Sequence, residues 1–191
     1  EISYLCANYD LELALQYLCE HLAEKNQLEK TIFVLTGDHI PYMLSSDEQC
    51  HMAELAGLKY DPIWQAYHST AILYSPSIKN PIQSKEFCCN VDLLPTVLNL
   101  LDFDVDFRLF FGIDILDNSS DVVHRARFYN GNFITDRLMY RQSNATAIWY
   151  ADGKNMSDEE KSEYLNKMIE FTENEYEKSI AVVETDFFRR K

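Results

Sequence analysis

The sequence is short of positive charge. Of its 191 residues only 17 are Lys or Arg against 31 Asp or Glu, so the formal net charge is −14. No basic stripe runs along it, and the densest basic cluster is Arg189, Arg190 and Lys191 at the very end. A nucleic-acid backbone would find little to neutralise it, so nucleic acid is not an expected partner. Long hydrophobic runs are also missing. No stretch approaches the roughly 20 apolar residues that a bilayer crossing requires, and no signal peptide is visible. Cysteine is sparse and unpatterned: Cys6, Cys19, Cys50, Cys88 and Cys89 are odd in number and lack C-x-x-C spacing, which argues against a zinc knuckle or a complete disulfide framework. Buried free thiols are the expectation. Adjacent Cys88 and Cys89 would point to opposite faces of a strand, where mutual pairing would be strained.

What is present suffices for one sizeable core, so one domain is expected. From Tyr4 to Lys25, Leu11, Leu15, Leu18 and Leu22 recur at helical spacing with Asp10, Glu12, Glu20 and Glu24 on other faces, an amphipathic helix. Thr31 to Thr36 is a continuous apolar run of the kind expected of a parallel strand covered on both faces. Ser46 and Gln49 have capping-box spacing before a short helix that Gly57 could end. "STAILYS", Ser69 to Ser75, reads as a second buried strand stopped by Pro76, and 76–86 as a loop. In "NVDLLPTVLNLL" Asp92 is the expected N-cap, Pro95 falls in the first turn, and Leu94, Val97, Leu98 and Leu101 supply a buried face. Beyond it, "RFYNGNFITDRLMYRQSNATAIWYADG" holds three aromatic, β-branched runs, including Phe128, Tyr129, Phe133, Tyr140, Trp149 and Tyr150, with a turn at Asn130-Gly131. These predict an antiparallel meander. Ser157 and Glu160 form another capping box, opening a long acidic helix through about Val183. Its glutamates, Glu159, Glu160, Glu163, Glu170, Glu173, Glu175 and Glu177, read as a solvated flank. The order predicts an α/β fold, with an α/β part over 1–120, a meander over 121–155 and a terminal helix over 156–191.

Chemistry concentrates at "KTIFVLTGDHIPY", where an apolar strand runs into Gly37, Asp38 and His39 and breaks on Pro41. In open α/β sheets functional groups gather beyond the carboxyl ends of strands, and Gly37 permits a sharp turn and close approach. A carboxylate beside a neutral imidazole suits zinc, manganese or a similar divalent ion. Judged by spacing alone, Asp38 reads first as a cap or turn former. His68, just before the second strand, and Tyr42, just after the pair, are the substrate-binding candidates. His21 and His51 fall in helices and read as solvated, while His124, Arg108, Arg125 and Arg127 read as balancing local acids.

Several segments then fall in one order. "TIFVLTGDHIPY" resembles the metal-binding strand end of the alkaline phosphatase superfamily, in particular its sulfatase and lipoteichoic acid synthase branch. "STAILYSPSI" resembles that branch's next strand, "NVDLLPTVLNLLDF" its Asp-x-x-Pro-Thr helix, "RLFFGIDIL" its Phe-Gly-x-Asp-Leu segment, and "RFYNGNFITDRLMY" the Asn-Gly-x-Phe-Ile-Thr hairpin of the synthases. The resemblance spans roughly residues 1 to 150. It implies an alkaline-phosphatase-like layered α/β/α sheet, in part, with the meander and terminal helix appended. It also implies that Asp38 and His39 are two ligands of a catalytic divalent cation, manganese or magnesium in the synthases, with calcium or zinc as alternatives. The Asp92-Pro95-Thr96 and Phe111-Gly112-Asp114 motifs would be structural. Ile40 and Pro41 depart from the sulfatases, which tend to have glycine after the histidine, and lean toward the synthases.

The implied activity is displacement at phosphorus or sulfur through a covalent intermediate, most simply phosphoglycerol transfer from an anionic lipid head group, at the outer face of a bacterial membrane to which the parent is anchored. The family's nucleophile and remaining metal carboxylate lie in a preceding half that has no counterpart here. The chain opens on Glu1 without a methionine, which leads to the expectation of a fragment: a soluble piece, inactive alone because two ligands do not close a catalytic metal site. Its expected partners are that missing half and, across an uncovered sheet edge, a second copy of itself. The competing expectation is a non-catalytic family member that binds envelope polymers or lipids.

Overall fold

The computed structural model describes residues 2–61, 64, 67–119, 122–128 and 130–189. The chain forms two compact units, Glu1–Ile82 and Gln83–Lys191. The division falls within 76–86, the stretch whose Ser, Pro and Lys content predicted a loop. Tyr129, Arg190 and Lys191 lie outside the described residues. Among the described residues no helix is long and apolar enough to cross a membrane.

The first unit opens with α1, Ile2–Glu24. Asn26 takes a left-handed φ of 55° and the Gln27 N–H reaches back to the Leu22 carbonyl at 2.8 Å, closing the helix end. The expected amphipathic stripe is only half realised. Leu15 and Leu22 are partly covered, whereas Leu11 is 56 % and Leu18 43 % exposed, and α1 has no buried residue. Strand β1, Phe33–Thr36, and β2, Ala71–Tyr74, form a two-stranded sheet. They run antiparallel, with Phe33 opposite Tyr74 and Thr36 opposite Ala71. The parallel, doubly covered strand expected over 31–36 is therefore corrected: alternate residues of β1 are exposed and three of four in β2 are. An apolar run signals a demand for burial but carries no strand direction. Direction is set by the connection, which returns the chain so that the Phe33 and Tyr74 rings, 5.9 Å apart, make a cross-strand pair.

Between the strands lies α2, Ser46–Leu55. Its capping box uses Ser45 and Glu48, one residue earlier than the expected Ser46 and Gln49, because Ser45 holds the extended backbone of an N-cap (φ −63°, ψ 164°) and its hydroxyl accepts the Glu48 N–H. In return the Glu48 carboxylate accepts the Ser45 N–H at 2.9 Å. Gly57, at φ 70°, ends the helix as its sequence position predicts. The Ser45 N–H holds the Glu48 carboxyl from an ordinary 4.5 down to about 2. A carboxyl depressed on folding contributes stability above its unfolded value that is lost as pH falls through its folded one. The start of α2 is thus expected to loosen between about pH 4.5 and pH 2, visible as a rise in Ser45 and Glu48 amide exchange that Glu48→Gln removes.

In the second unit α3, Leu93–Leu100, packs through Leu93, Pro95 and Thr96. Leu94 at 56 % and Leu101 at 46 % are exposed, so the expected buried face is rotated. The cause is Asp92, which does not cap α3: its backbone is helical (φ −82°, ψ −14°) and its carboxylate accepts the N–H groups of Cys89 at 2.7 Å and Ile113 at 2.9 Å. The meander has four strands rather than three, β3 (Arg125–Arg127), β4 (Phe133–Thr135), β5 (Leu138–Arg141) and β6 (Thr146–Trp149), each antiparallel to its neighbour. The β3–β4 connection turns at Asn130-Gly131, closed by Phe128 N–H to Asn132 O at 3.0 Å. Against this sheet lies α4, Asp158–Glu184, capped by Ser157 and Glu160 as expected. Its Tyr164, Leu165, Met168 and Ile169 recur at helical spacing and meet Phe133, Leu138, Tyr140, Ala147 and Trp149 in the core. Of the meander aromatics, Phe133, Tyr140 and Trp149 pack in this core. These elements make the mixed α/β fold that the sequence predicts, with its meander and terminal helix.

Candidate metal centre

Because β1 and β2 are antiparallel, the residues after Thr36 and those before Ala71 lie beyond the same end of the sheet. The Gly37 N–H donates to the Ser69 hydroxyl at 3.1 Å and ties the two segments there. Asp38, His39 and His68, singled out separately in the sequence, are brought to one rim. Asp38 Oδ1 and His39 Nε2 stand 3.6 Å apart, with side chains 88 % and 51 % exposed. Two donors each about 2.0–2.2 Å from one ion can stand at most about 4.3 Å apart, so the pair fits a single cation.

The imidazole is already oriented for this. His39 Nδ1 lies 2.6 Å from the Ile40 carbonyl oxygen. A carbonyl only accepts, so this partner assigns the proton of the neutral ring to Nδ1 and leaves the lone pair on Nε2, the atom beside Asp38. The same carbonyl accepts the Tyr42 N–H at 2.8 Å around Pro41, and Pro41 O accepts Leu44 N–H at 3.0 Å. The Tyr42 ring stacks on the imidazole at 4.7 Å between centroids and 16° between planes. Tyr42 is 70 % exposed and His68 is exposed as well. Sequence reasoning missed the Ser69 tie and the accepting role of Ile40 O; the Ile-Pro-Tyr turn in place of glycine was the signal for the second.

Among the described residues no three of His, Cys, Asp and Glu gather closely enough to hold an ion. What the rim brings together is one carboxylate and one imidazole. The three arginines singled out in the second unit, Arg108, Arg125 and Arg127, are each paired with an acid. Arg108 holds Asp106 at 2.7 Å and pulls that carboxyl down to about 2. Arg125 and Arg127 share Glu175, at 2.5 and 2.7 Å, which corrects the reading of Glu175 as part of a solvated flank: it is 15 % exposed. His124 Nε2 lies 2.8 Å from Asp117 O. All five cysteines are free, Cys6 exposed and the others partly buried, so the expectation of free thiols holds but that of full burial does not. Burial pushes the Cys88 thiol up to about 11 and raises that of Cys89, which disfavours the thiolate at both. The Asp92 and Asp114 motifs anchor backbone, as the resemblance implies: Thr96 Oγ accepts Ile115 N–H at 2.9 Å, and Asp114 accepts Leu116 N–H at 3.0 Å beside the Asn99 side-chain amide at 2.7 Å.

Comparison with known proteins gives these residues a setting. The sulfatase family model matches residues 3–103. Lipoteichoic acid synthase of Staphylococcus aureus (strain USA300) is 28 % identical over 131 residues, covering 68 % of this chain and 20 % of that protein, and the synthase of strain NCTC 8325 / PS 47 gives the same figures. The chain thus spans about a fifth of the length of these relatives. Its structure is similar to the crystal structure of the lipoteichoic acid synthase LtaP from Listeria monocytogenes, with a TM-score of 0.69 and 23 % identity over 89 % of this chain and 42 % of that one.

Proposed function

We propose that this chain, which belongs to the sulfatase family, supplies two metal ligands to the active site of a phosphoglycerol transferase of the lipoteichoic acid synthase type. One observation carries the reading: a carboxylate and an imidazole with a bare Nε2, 3.6 Å apart and open to solvent beyond the end of β1. The likeness to synthases of that name favours this chemistry over sulfate-ester hydrolysis. A divalent ion, manganese or magnesium before calcium or zinc, would lower the pKa of the attacking group and neutralise charge on the transferring oxygens. Asp38 contributes the negative charge of the site and His39 a neutral donor, while the missing Cβ of Gly37 leaves room for the Ser69 side chain that ties the rim together. His68 and Tyr42 stand at the same rim to meet an anionic lipid head group or a phosphate or sulfate ester. In this proposal the nucleophile and the remaining carboxylate come from a preceding part of the same domain, whose parent is anchored at the outer face of a bacterial membrane. The isolated chain is inactive and free to associate with itself.

The test compares parent and piece. Asp38→Ala or His39→Ala in the parent is expected to cost about 100-fold or more in glycerol phosphate release from phosphatidylglycerol with Mn²⁺. The isolated 191-residue chain is expected to release none. Parent variants as active as wild type would defeat the metal assignment. Turnover by the isolated chain that Asp38→Ala abolishes would show that the chain holds a complete site.

A further inference from the structure

Three features surround His39 that the metal assignment by itself does not require. Ile40 O accepts from His39 Nδ1 at 2.6 Å and from the Tyr42 backbone at 2.8 Å. Pro41 lies between them, and its fixed φ suits the tight i to i+2 turn that aims one carbonyl at both donors. The Tyr42 ring then lies nearly parallel to the imidazole, 4.7 Å away, so it blocks rotation of the ring about its bond to Cβ on that side. We propose that Tyr42 is a positioning residue: with the Pro41 turn it presets His39 as an Nε2 donor toward Asp38, so that the half-site is built before any ion arrives.

The physical reason is entropic and tautomeric together. An exposed imidazole samples several rotamers and carries its proton on either nitrogen, and only one combination places a lone pair beside Asp38. A ring restrained on one face and hydrogen-bonded at Nδ1 has little of this freedom left to lose on binding a cation. Tyr42 does this through its ring face rather than its hydroxyl. The distinction separates presetting from a direct contact with substrate, for which the hydroxyl would be the natural group.

The inference rests on the metal assignment above, and its test separates the two. In the isolated chain, imidazole ¹⁵N shifts measured near pH 8, above the ordinary range of a histidine, report which nitrogen holds the proton, with His39→Ala identifying the resonances. Wild type and Tyr42→Phe are expected to show a protonated Nδ1 and a bare Nε2. In Tyr42→Ala the two shifts are expected to converge as tautomers exchange. Mn²⁺ affinity, read from water relaxation, is expected to fall about three- to tenfold in Tyr42→Ala and to stay within about twofold in Tyr42→Phe. Unchanged shifts and affinity in Tyr42→Ala would overturn the proposal while leaving the ligands in place, and loss in Tyr42→Phe equal to that in Tyr42→Ala would assign the role to the hydroxyl instead. Mn²⁺ uptake that Asp38→Ala does not weaken would remove the metal assignment. The nitrogen shifts alone would then decide whether Tyr42 presets the ring: convergence in Tyr42→Ala upholds it, and shifts that stay apart overturn it.

Discussion

Gly112→Ala is expected to destabilise the second unit by about 3 kcal/mol or more, because the added methyl meets backbone that cannot step aside. A Cβ at that position would stand 2.5 Å from the carbonyl carbon of Val91 and 2.9 Å from Cα of Asp92, with the Val91 oxygen closer still. The surrounding bonds fasten both walls. Asp92 holds the N–H of Ile113 at 2.9 Å, the Thr96 hydroxyl donates to Asp92 O at 2.6 Å, and the same hydroxyl accepts the N–H of Ile115. Asp114 accepts from Asn99 on one oxygen and from Leu116 N–H, at 3.0 Å, on the other. Relieving the clash means breaking several of these at once. Thermal unfolding followed by near-ultraviolet circular dichroism should show the midpoint lowered by roughly 10 °C or more. Gly57→Ala is the control, since open space surrounds that position and only its φ of 70° resists; the expected cost is about 1 kcal/mol. A Gly112→Ala midpoint within the control's range would mean that the 112–116 segment slides on α3 rather than being locked to it.

Local rules made much of this fold legible. Ser157 with Glu160, Gly57 after α2 and Asn130-Gly131 between strands each act within a few residues, and each does what its spacing predicts. Errors arise where a partner lies farther away. Asp92 looks like a helix cap until Ile113, 21 residues on, claims one oxygen and Cys89 the other. The strand over 31–36 reads as parallel and covered because its apolar run carries no information about which neighbour it pairs with. At the candidate site the carboxylate–imidazole pair itself was legible, since Asp38 and His39 adjoin each other and follow a strand. Their arrangement was not: the tie from Gly37 to Ser69 spans 32 positions, and the direction of the imidazole depends on a main-chain oxygen that no side-chain pattern reports.

Glu175 is the strongest such case, and replacing it with Ala is expected to cost about 3–5 kcal/mol by leaving two buried guanidinium groups short of a counter-charge. Its Oε1 accepts from Arg125 at 2.5 Å and Arg127 at 2.7 Å, whose side chains are 4 % and 13 % exposed. Asp92, 3.5 Å from Arg127, would be the only carboxylate left to them among the described ion pairs. The Arg125 guanidinium also lies over the Phe171 ring at 4.1 Å and donates to Val123 O at 2.7 Å, so it cannot swing out to water without losing both. Burial already pulls its pKa below the ordinary value. The network is not fully satisfied among the described residues, however: there Arg125 Nε and Glu175 Oε2 are buried without hydrogen-bond partners. An incompletely satisfied network repays its desolvation poorly, so removing a charge of each sign together should hurt less than removing the acid alone. The double change Arg125→Met with Glu175→Leu is therefore expected to be more stable than Glu175→Ala, in urea unfolding compared at constant m value. Glu173→Ala, on the exposed side of the same helix, should stay within about 0.5 kcal/mol of wild type. If Glu175→Ala matched Glu173→Ala, the two arginines would have to reach solvent in solution, and α4 would be held by the Met168 face alone.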